Sequence, residues 1–129
     1  PEGVTYPEGM DVEVFSMQAL ERAHNEAKKP SEREHVTFYF WKNIEKFNCF
    51  RADLTYNLSN YRLTLDYKED FVVIRKIIEA LDSKHKIFSM REILKFLDQN
   101  PEIHEINSNI ESFSGWSSSL VKDLDTKNN

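Results

Sequence analysis

The chain has 129 residues, 40% of them hydrophobic, 30% charged and 12% aromatic, a composition that suits one globular domain with a core and argues against disorder. Its net charge of −5 and the lack of a basic tract leave nucleic-acid binding without electrostatic support. The single cysteine, Cys49, excludes an internal disulfide framework, and no apolar run approaches the roughly 20 residues that span a bilayer. We find no signal peptide and expect a cytoplasmic protein with no nucleic-acid partner and no membrane span.

The chain opens with the turn-rich stretch PEGVTYPEGM and no initiator methionine, which suggests a part of a longer protein. The alternating residues 11–15, DVEVF, predict a short strand with Asp11 and Glu13 on one face. Ser16 can cap a helix that Pro30 ends.

The next helix is predicted from the capping-box sequence at 31–34, SERE. It would carry Val36, Tyr39, Phe40 and Asn43, although its centre is rich in strand-forming residues. A further strand is possible at 47–50, and the alternation at 61–65 predicts another strand.

The clearest helix is predicted over 68–82, with an apolar stripe made of Phe71, Ile74, Ile77, Ile78 and Leu81. A second capping box at 89–92 and a proline at position 101 predict two more helices. We assign residues 1–110 to one domain and the Ser- and Asn-rich residues 111–129 to a surface tail. Strands that alternate with helices predict an α/β fold.

Asp66 stands where the strand at 61–65 gives way to the helix. With Glu69 it fits a D-x-x-E helix cap. It could also hold Mg²⁺, because that ion prefers carboxylates completed by substrate phosphates and α/β sheets place ligands at strand ends. The pattern leaves both roles open.

The remaining candidates each have a simple alternative as exposed polar residues or local hydrogen-bond partners. Asp11 and Glu13 could bind a metal or a polyol from one strand face. Glu34 and His35 could exchange protons or hydrogen bonds with a ligand, and Arg62 could grip a carboxylate or phosphate. Neither phosphate-binding glycine motif, G-x-x-x-x-G-K-[ST] or G-x-G-x-x-G, occurs in the chain.

Three segments in this order, GMDVEVFS, SEREHVT and RLTLDYKEDF, carry a resemblance that covers roughly residues 6–110. The chain resembles the C-terminal half of the spore-coat polysaccharide cytidylyltransferases, relatives of the acylneuraminate cytidylyltransferases. The resemblance implies the C-terminal part of a Rossmann-like nucleotide-diphospho-sugar transferase fold, with few strands and several helices.

The implied reaction is the attack of a sugar hydroxyl on the α-phosphate of CTP, which yields a CMP-sugar and diphosphate with Mg²⁺ as cofactor. The resemblance implies a metal role for Asp66 only, since Thr64 stands where some relatives carry a second aspartate. It also implies a sugar-facing position for these residues: Asp11, Glu13, Glu34, His35 and Arg62.

The family's N-terminal half, with its glycine- and arginine-containing CTP loop, has no counterpart in this sequence. We therefore expect this chain to be the sugar-binding and oligomerisation half of an enzyme of surface polysaccharide biosynthesis, inactive alone and dimeric. The alternative is a non-catalytic interaction domain of the same fold.

Overall fold

The computed structural model describes residues 3–82, 87–112 and 114–125. Seven α-helices occur in these ranges: α1 (Met17–Glu26), α2 (Pro30–Glu34), α3 (Phe38–Lys42), α4 (Lys68–Leu81), α5 (Met90–Gln99), α6 (Pro101–His104) and α7 (Ser114–Asp125). A single 3-10 turn, Ile44–Lys46, follows α3. None of the described helices is both long and apolar enough to cross a membrane.

The helices divide between two compact units. The first unit contains Val12–Ala52 and the helix at 114–125, and the second contains Gly3–Asp11 and Asp53–Ser112. The second unit is discontinuous in sequence, because the whole of Val12–Ala52 lies between its two stretches.

Several helix starts agree with the sequence because their caps are local. Ser16 Oγ accepts a hydrogen bond from the Ala19 N–H at 3.2 Å and begins α1. The capping box of α5 also forms: the Ser89 N–H donates to Glu92 Oε2 at 2.8 Å, and the Glu92 N–H donates to Ser89 Oγ at 3.4 Å. Pro101 stands at the first position of α6, as predicted.

The long helix predicted after residue 30 is wrong, because the chain forms two short helices there. His35 leaves α2 with an extended backbone at φ −104° and ψ 105°, and α3 begins only at Phe38. The β-branched residues Val36 and Thr37, which disfavour helix, occupy the break. The capping box predicted at Ser31 is not formed, since α2 already begins at Pro30 and the Ser31 N–H donates to Asp123 Oδ1 at 2.9 Å.

The strands predicted at 11–15, 47–50 and 61–65 are also wrong for this structure, and no strand occurs in the described residues. A strand requires a run of hydrogen bonds to a neighbouring segment, and within the described ranges the segment 61–65 pairs in this way with one residue, Glu8. An isolated parallel bridge between Glu8 and Arg62 takes their place. The helical part of the predicted α/β fold is therefore observed, whereas its sheet is not.

The core of the second unit lies along one face of α4. Val73 and Ile77 are 1% and 2% exposed and pack in one cluster with Leu97 of α5 and Ile103 of α6. This face is rotated from the predicted stripe, because Phe71 and Ile78 are 55% and 45% exposed.

The residues 114–125 that we expected in a surface tail form α7. This helix packs on α2, and its side chains Ser119 and Asp123 are buried.

Two adjacent isoleucines of α4 provide a matched test of this core. Ile77→Ala should lower the free energy of unfolding by about 2–5 kcal/mol, because it leaves a cavity among buried side chains. Ile78→Ala, the same change on the exposed side of the helix, should cost less than about 1 kcal/mol. Urea denaturation followed by circular dichroism measures both, and equal losses would contradict the assigned face.

Candidate functional site

Arg62 is a buried guanidinium surrounded by three carboxylates. Its side chain is 5% exposed. Nη1 donates to Glu8 Oε1 at 2.9 Å, while Nε and Nη2 donate to the two oxygens of Asp70 at 2.9 and 3.0 Å. Nη2 also donates to Asp66 Oδ2 at 3.2 Å. The hydrogen bonds that Arg62 donates to Asp70, together with the charge of Glu8, raise the pKa of Arg62 against the lowering effect of burial.

Glu8 reaches Arg62 because two backbone segments approach closely. The Glu8 N–H donates to the Tyr61 carbonyl at 2.9 Å, and the Leu63 N–H donates to the Glu8 carbonyl at 2.7 Å. Gly9 follows at φ +93°, and a Cβ at this position would lie 2.7 Å from the Leu63 carbonyl carbon and oxygen. The PEG sequence at 7–9 thus supplies both a buried carboxylate and the glycine that this approach requires.

Asp70 is the acceptor that caps α4, and the predicted cap role of Asp66 is wrong. Asp70 Oδ2 accepts from the N–H groups of Asp66 and Tyr67 at 3.0 and 3.1 Å. Asn107 Nδ2 donates to Asp70 Oδ1 at 2.8 Å. Burial by itself raises the pKa of Asp70, but the bonds from Arg62, Asn107 and the two backbone N–H groups outweigh burial and hold the pKa well below its usual value.

Asp66 is the exposed member of this cluster, with 65% of its side chain accessible. The described residues contain no group of three or more His, Cys, Asp or Glu side chains that could hold a metal ion. Arg62 and its three carboxylates carry a net charge of −2, which favours a cation nearby. Because Mg²⁺ commonly takes only one or two protein carboxylates and completes its shell with water and phosphates, Asp66 fits a phosphate-bound Mg²⁺ and not a site made by protein alone.

Glu34 and His35 lie in the first unit and meet at a serine of α7. Glu34 Oε2 accepts from Ser119 Oγ at 3.0 Å and from Lys122 Nζ at 3.1 Å. His35 Nε2 lies 2.9 Å from the same Ser119 Oγ. The bonds from Lys122 and Ser119 lower the pKa of Glu34.

Asp123 provides the second attachment of α7. Its Oδ1 and Oδ2 accept from the N–H and Oγ of Ser31 at 2.9 and 2.6 Å, and Lys42 Nζ donates to Oδ2 at 3.0 Å. Burial raises the pKa of Asp123, but the bonds from Ser31 and Lys42 prevail and lower it to about 2.

Asp11 and Glu13 do not share a strand face, because residues 11–15 form no strand. Both are exposed. Glu13 Oε1 accepts from Trp41 Nε1 at 2.7 Å, within the first unit. Asp11 belongs to the second unit.

The structure thus brings two pairs of predicted site residues together. Arg62 and Asp66 are in direct contact, and Glu34 and His35 share Ser119. Sequence reasoning missed three members of the Arg62 cluster, which are Glu8, Asp70 and Asn107. The only sequence signal for Glu8 was its place before Gly9, and no local pattern indicated Asn107.

Comparison with solved structures finds a cytidylyltransferase from Leptospira borgpetersenii serovar Hardjo-bovis (strain JB197). The chain is similar to a cytidylyltransferase. The match has a TM-score of 0.72 and 32% sequence identity, and it covers 86% of this chain and 44% of the other. The two proteins are therefore similar in both structure and sequence over most of this chain.

Among curated proteins, the chain is 38% identical over 104 residues to an uncharacterized protein of Methanocaldococcus jannaschii. That match covers 79% of this chain and 42% of the relative. The chain therefore spans less than half the length of both proteins. No family model matches it.

The attachment of α7 through Asp123 predicts a specific response to pH. Because the folded-state pKa, about 2, lies below the ordinary value of 3.8, Asp123 contributes stability above pH 4 that is lost as the pH falls toward 2. Asp123→Asn should lower the free energy of opening of α7 by about 1–3 kcal/mol at pH 7, and the difference from the unmodified chain should shrink below pH 4.

Amide hydrogen exchange in α7 measures this opening. Glu21→Gln removes one negative charge from an exposed position of α1 in the same unit, and should leave α7 unchanged. Equal protection of α7 in the Asp123→Asn variant and the unmodified chain at pH 7 would contradict the assigned contact.

Proposed function

We propose that this chain is the C-terminal, sugar-binding and oligomerisation half of a CTP-dependent sugar cytidylyltransferase, of the kind that acts in spore-coat and other surface polysaccharide synthesis. The observation that carries the proposal is the likeness to a cytidylyltransferase over 86% of the chain, at 32% identity and a TM-score of 0.72. The order of the three sequence segments GMDVEVFS, SEREHVT and RLTLDYKEDF supports the same family.

In the proposed reaction a sugar hydroxyl oxygen attacks the α-phosphorus of CTP. A new P–O bond forms to the sugar, the bond to the β-phosphate oxygen breaks, the hydroxyl proton is released to water, and diphosphate leaves. Mg²⁺ would offset negative charge on the phosphates. Asp66 would hold that ion, because its side chain is accessible and its surroundings are net negative.

The proposed sugar-facing residues offer chemistry that suits a polyhydroxyl ligand. Carboxylates accept hydrogen bonds from sugar hydroxyls, and Asp11, Glu13 and Glu34 are all exposed or half exposed. His35 can donate or accept at its ring nitrogens. Arg62 would act indirectly, without contacting the sugar, because its guanidinium is buried and bonded to three carboxylates.

The same proposal explains why one side of the extended segment 11–15 is exposed to solvent. Val12 and Val14 are 85% and 93% exposed, whereas Glu13 bonds Trp41 and Phe15 stacks on Phe40 with ring centroids 5.4 Å apart. Exposed β-branched residues on an extended backbone are well suited to pairing with another strand. We therefore propose that 11–15 and 61–65 become strands when the remainder of a Rossmann-like fold, or a second subunit of a homodimer, is present.

A non-catalytic interaction domain is the second candidate. The burial of Arg62 and its bonds to three carboxylates favour it, since they give this cluster a purely structural role. The cytoplasmic location and the domain boundary at residue 110 stay predictions.

The first test asks whether this chain is active alone. Incubation with CTP, Mg²⁺ and a panel of nine-carbon and eight-carbon acidic sugars should give no diphosphate above the rate without protein, because no phosphate-binding glycine loop occurs in the sequence. Sustained diphosphate release by the purified 129-residue chain would show that the half-enzyme proposal is wrong.

The second test uses the full-length protein that carries this chain. Asp66→Asn should lower kcat/KM for CMP-sugar formation roughly 100-fold and raise the Mg²⁺ concentration needed, because a neutral amide is a poorer ligand than a carboxylate. The variant keeps the cap of α4, which Asp70 supplies. Glu69→Gln removes one charge nearby and should keep nearly full activity. Unchanged Mg²⁺ dependence in Asp66→Asn would exclude the metal role and favour the interaction domain.

A further inference from the structure

The helix α7 contacts two of the residues that we assign to the sugar site. Ser119 Oγ donates to Glu34 Oε2 at 3.0 Å and lies 2.9 Å from His35 Nε2. Lys122 Nζ donates to the same Glu34 oxygen at 3.1 Å. All four residues belong to the first unit, and Ser119 is only 1% exposed. One carboxylate oxygen of Glu34 and one ring nitrogen of His35 are therefore occupied by α7.

The second attachment of α7 lies one helical turn further along, at Asp123. Its carboxylate accepts from the N–H and Oγ of Ser31 at 2.9 and 2.6 Å and from Lys42 Nζ at 3.0 Å. This attachment involves neither Glu34 nor His35. It can therefore be weakened by substitution without changing either residue of the sugar site.

The helix α7 is docked by its polar side. Among its described side chains, at positions 119–124, the two buried ones are Ser119 and Asp123. Leu120, Val121 and Leu124 are 41%, 58% and 61% exposed. A surface helix normally docks by burying its apolar stripe, which supplies most of the attraction. The described part of α7 is held instead by hydrogen bonds and ion pairs, which water or the polar groups of a ligand can replace.

A sugar offers the groups that can replace these contacts. Its hydroxyls can donate to a carboxylate and accept from an imidazole, as the Ser119 hydroxyl does. Glu34 Oε2 already accepts two hydrogen bonds from α7, and a carboxylate oxygen has two lone pairs. A sugar hydroxyl that binds this oxygen must therefore displace Ser119 or Lys122. Because the Glu34 side chain is 48% exposed, a sugar can approach it from solvent.

We propose that α7 is an autoinhibitory helix: while docked it occupies Glu34 and His35, and a sugar binds these residues when α7 is released. This inference rests on the proposed function, in which both residues face the sugar. The apparent affinity for the sugar is then the intrinsic affinity multiplied by the fraction of molecules in which α7 is released. A substitution that loosens α7 should therefore tighten sugar binding, whereas loosening a helix with a merely structural role would give no gain in affinity.

The first test measures amide hydrogen exchange in α7 of the unmodified 129-residue chain, with and without the nine-carbon and eight-carbon acidic sugars of the diphosphate assay. Shifts of the Glu34 and His35 amide signals in NMR spectra report sugar binding independently. A sugar that shifts these signals should also speed exchange in α7 by about 5-fold or more at saturation, because it holds α7 in the released state. Exchange in α1, which belongs to the same unit, should stay within about 2-fold.

The direction of the change in α7 decides between the possible outcomes. Slower or unchanged exchange in α7 with sugar bound would overturn the autoinhibitory role while leaving the sugar role of Glu34 and His35 intact. If no sugar shifts the Glu34 and His35 signals, the sugar role assigned to them in the proposed function is overturned, and this inference with it.

The second test loosens α7 by substitution. Asp123→Asn removes the charge that holds α7 to Ser31 and Lys42, and it should lower the Kd for the sugar about 10-fold in a titration of the same NMR signals. Glu21→Gln removes one charge from an exposed position of α1 and should leave the Kd within about 2-fold.

Ser119→Ala serves as a second variant, because it removes the direct bonds to Glu34 and His35 and should change the Kd in the same direction. An unchanged or higher Kd in folded Asp123→Asn and Ser119→Ala variants would overturn the autoinhibitory role. If neither variant folds, the exchange measurement on the unmodified chain still decides the question.

Discussion

The burial of the Arg62 guanidinium is the constraint on which the second unit depends. Removing such a charge from water costs several kcal/mol unless carboxylates and hydrogen bonds replace the lost hydration. Glu8, Asp66 and Asp70 supply that replacement. Glu8 lies in the segment before Gly9, Asp66 lies just before α4, and Asp70 lies within α4. One buried charge therefore holds three parts of the chain together.

The same charge explains why the candidate site has its particular form. Three carboxylates around one guanidinium leave an excess of negative charge, and Asp66 is the member of the cluster that solvent reaches. An interaction that stabilises the fold therefore also leaves an accessible carboxylate in a net negative cluster. The structural and the functional reading of Asp66 depend on the same contacts.

Local signals in the sequence predicted most helices, and long-range contacts explain the failures. The caps at Ser16 and Ser89 were predictable because donor and acceptor lie three residues apart. The pattern D-x-x-E indicated Asp66 as the cap of α4, whereas the folded chain uses Asp70. Asp70 also bonds Arg62, and rules for helix caps do not take such a distant contact into account. Strands were overpredicted because alternation indicates only that a segment could pair.

The candidate site residues were predictable only in part. Glu34, His35, Arg62 and Asp66 were singled out from the sequence, but α7 was missed because its Ser-rich sequence is typical of a surface tail. Its attachments join positions 81 to 92 residues apart, such as Asp123 with Lys42 and Asp123 with Ser31. No window of neighbouring residues contains that information.

The discontinuity of the second unit also has a consequence for the order of folding. Glu8 and Arg62 are 54 residues apart, and closing a flexible loop of that length costs about 3.5 kcal/mol in chain entropy beyond a constant term. During synthesis, the segment before Gly9 has no partner until all of Val12–Ala52 and the start of the second stretch have been made. The first-made residues of this unit are therefore among the last to find their native contacts, and its folding is expected to be slower than its helical content alone would suggest.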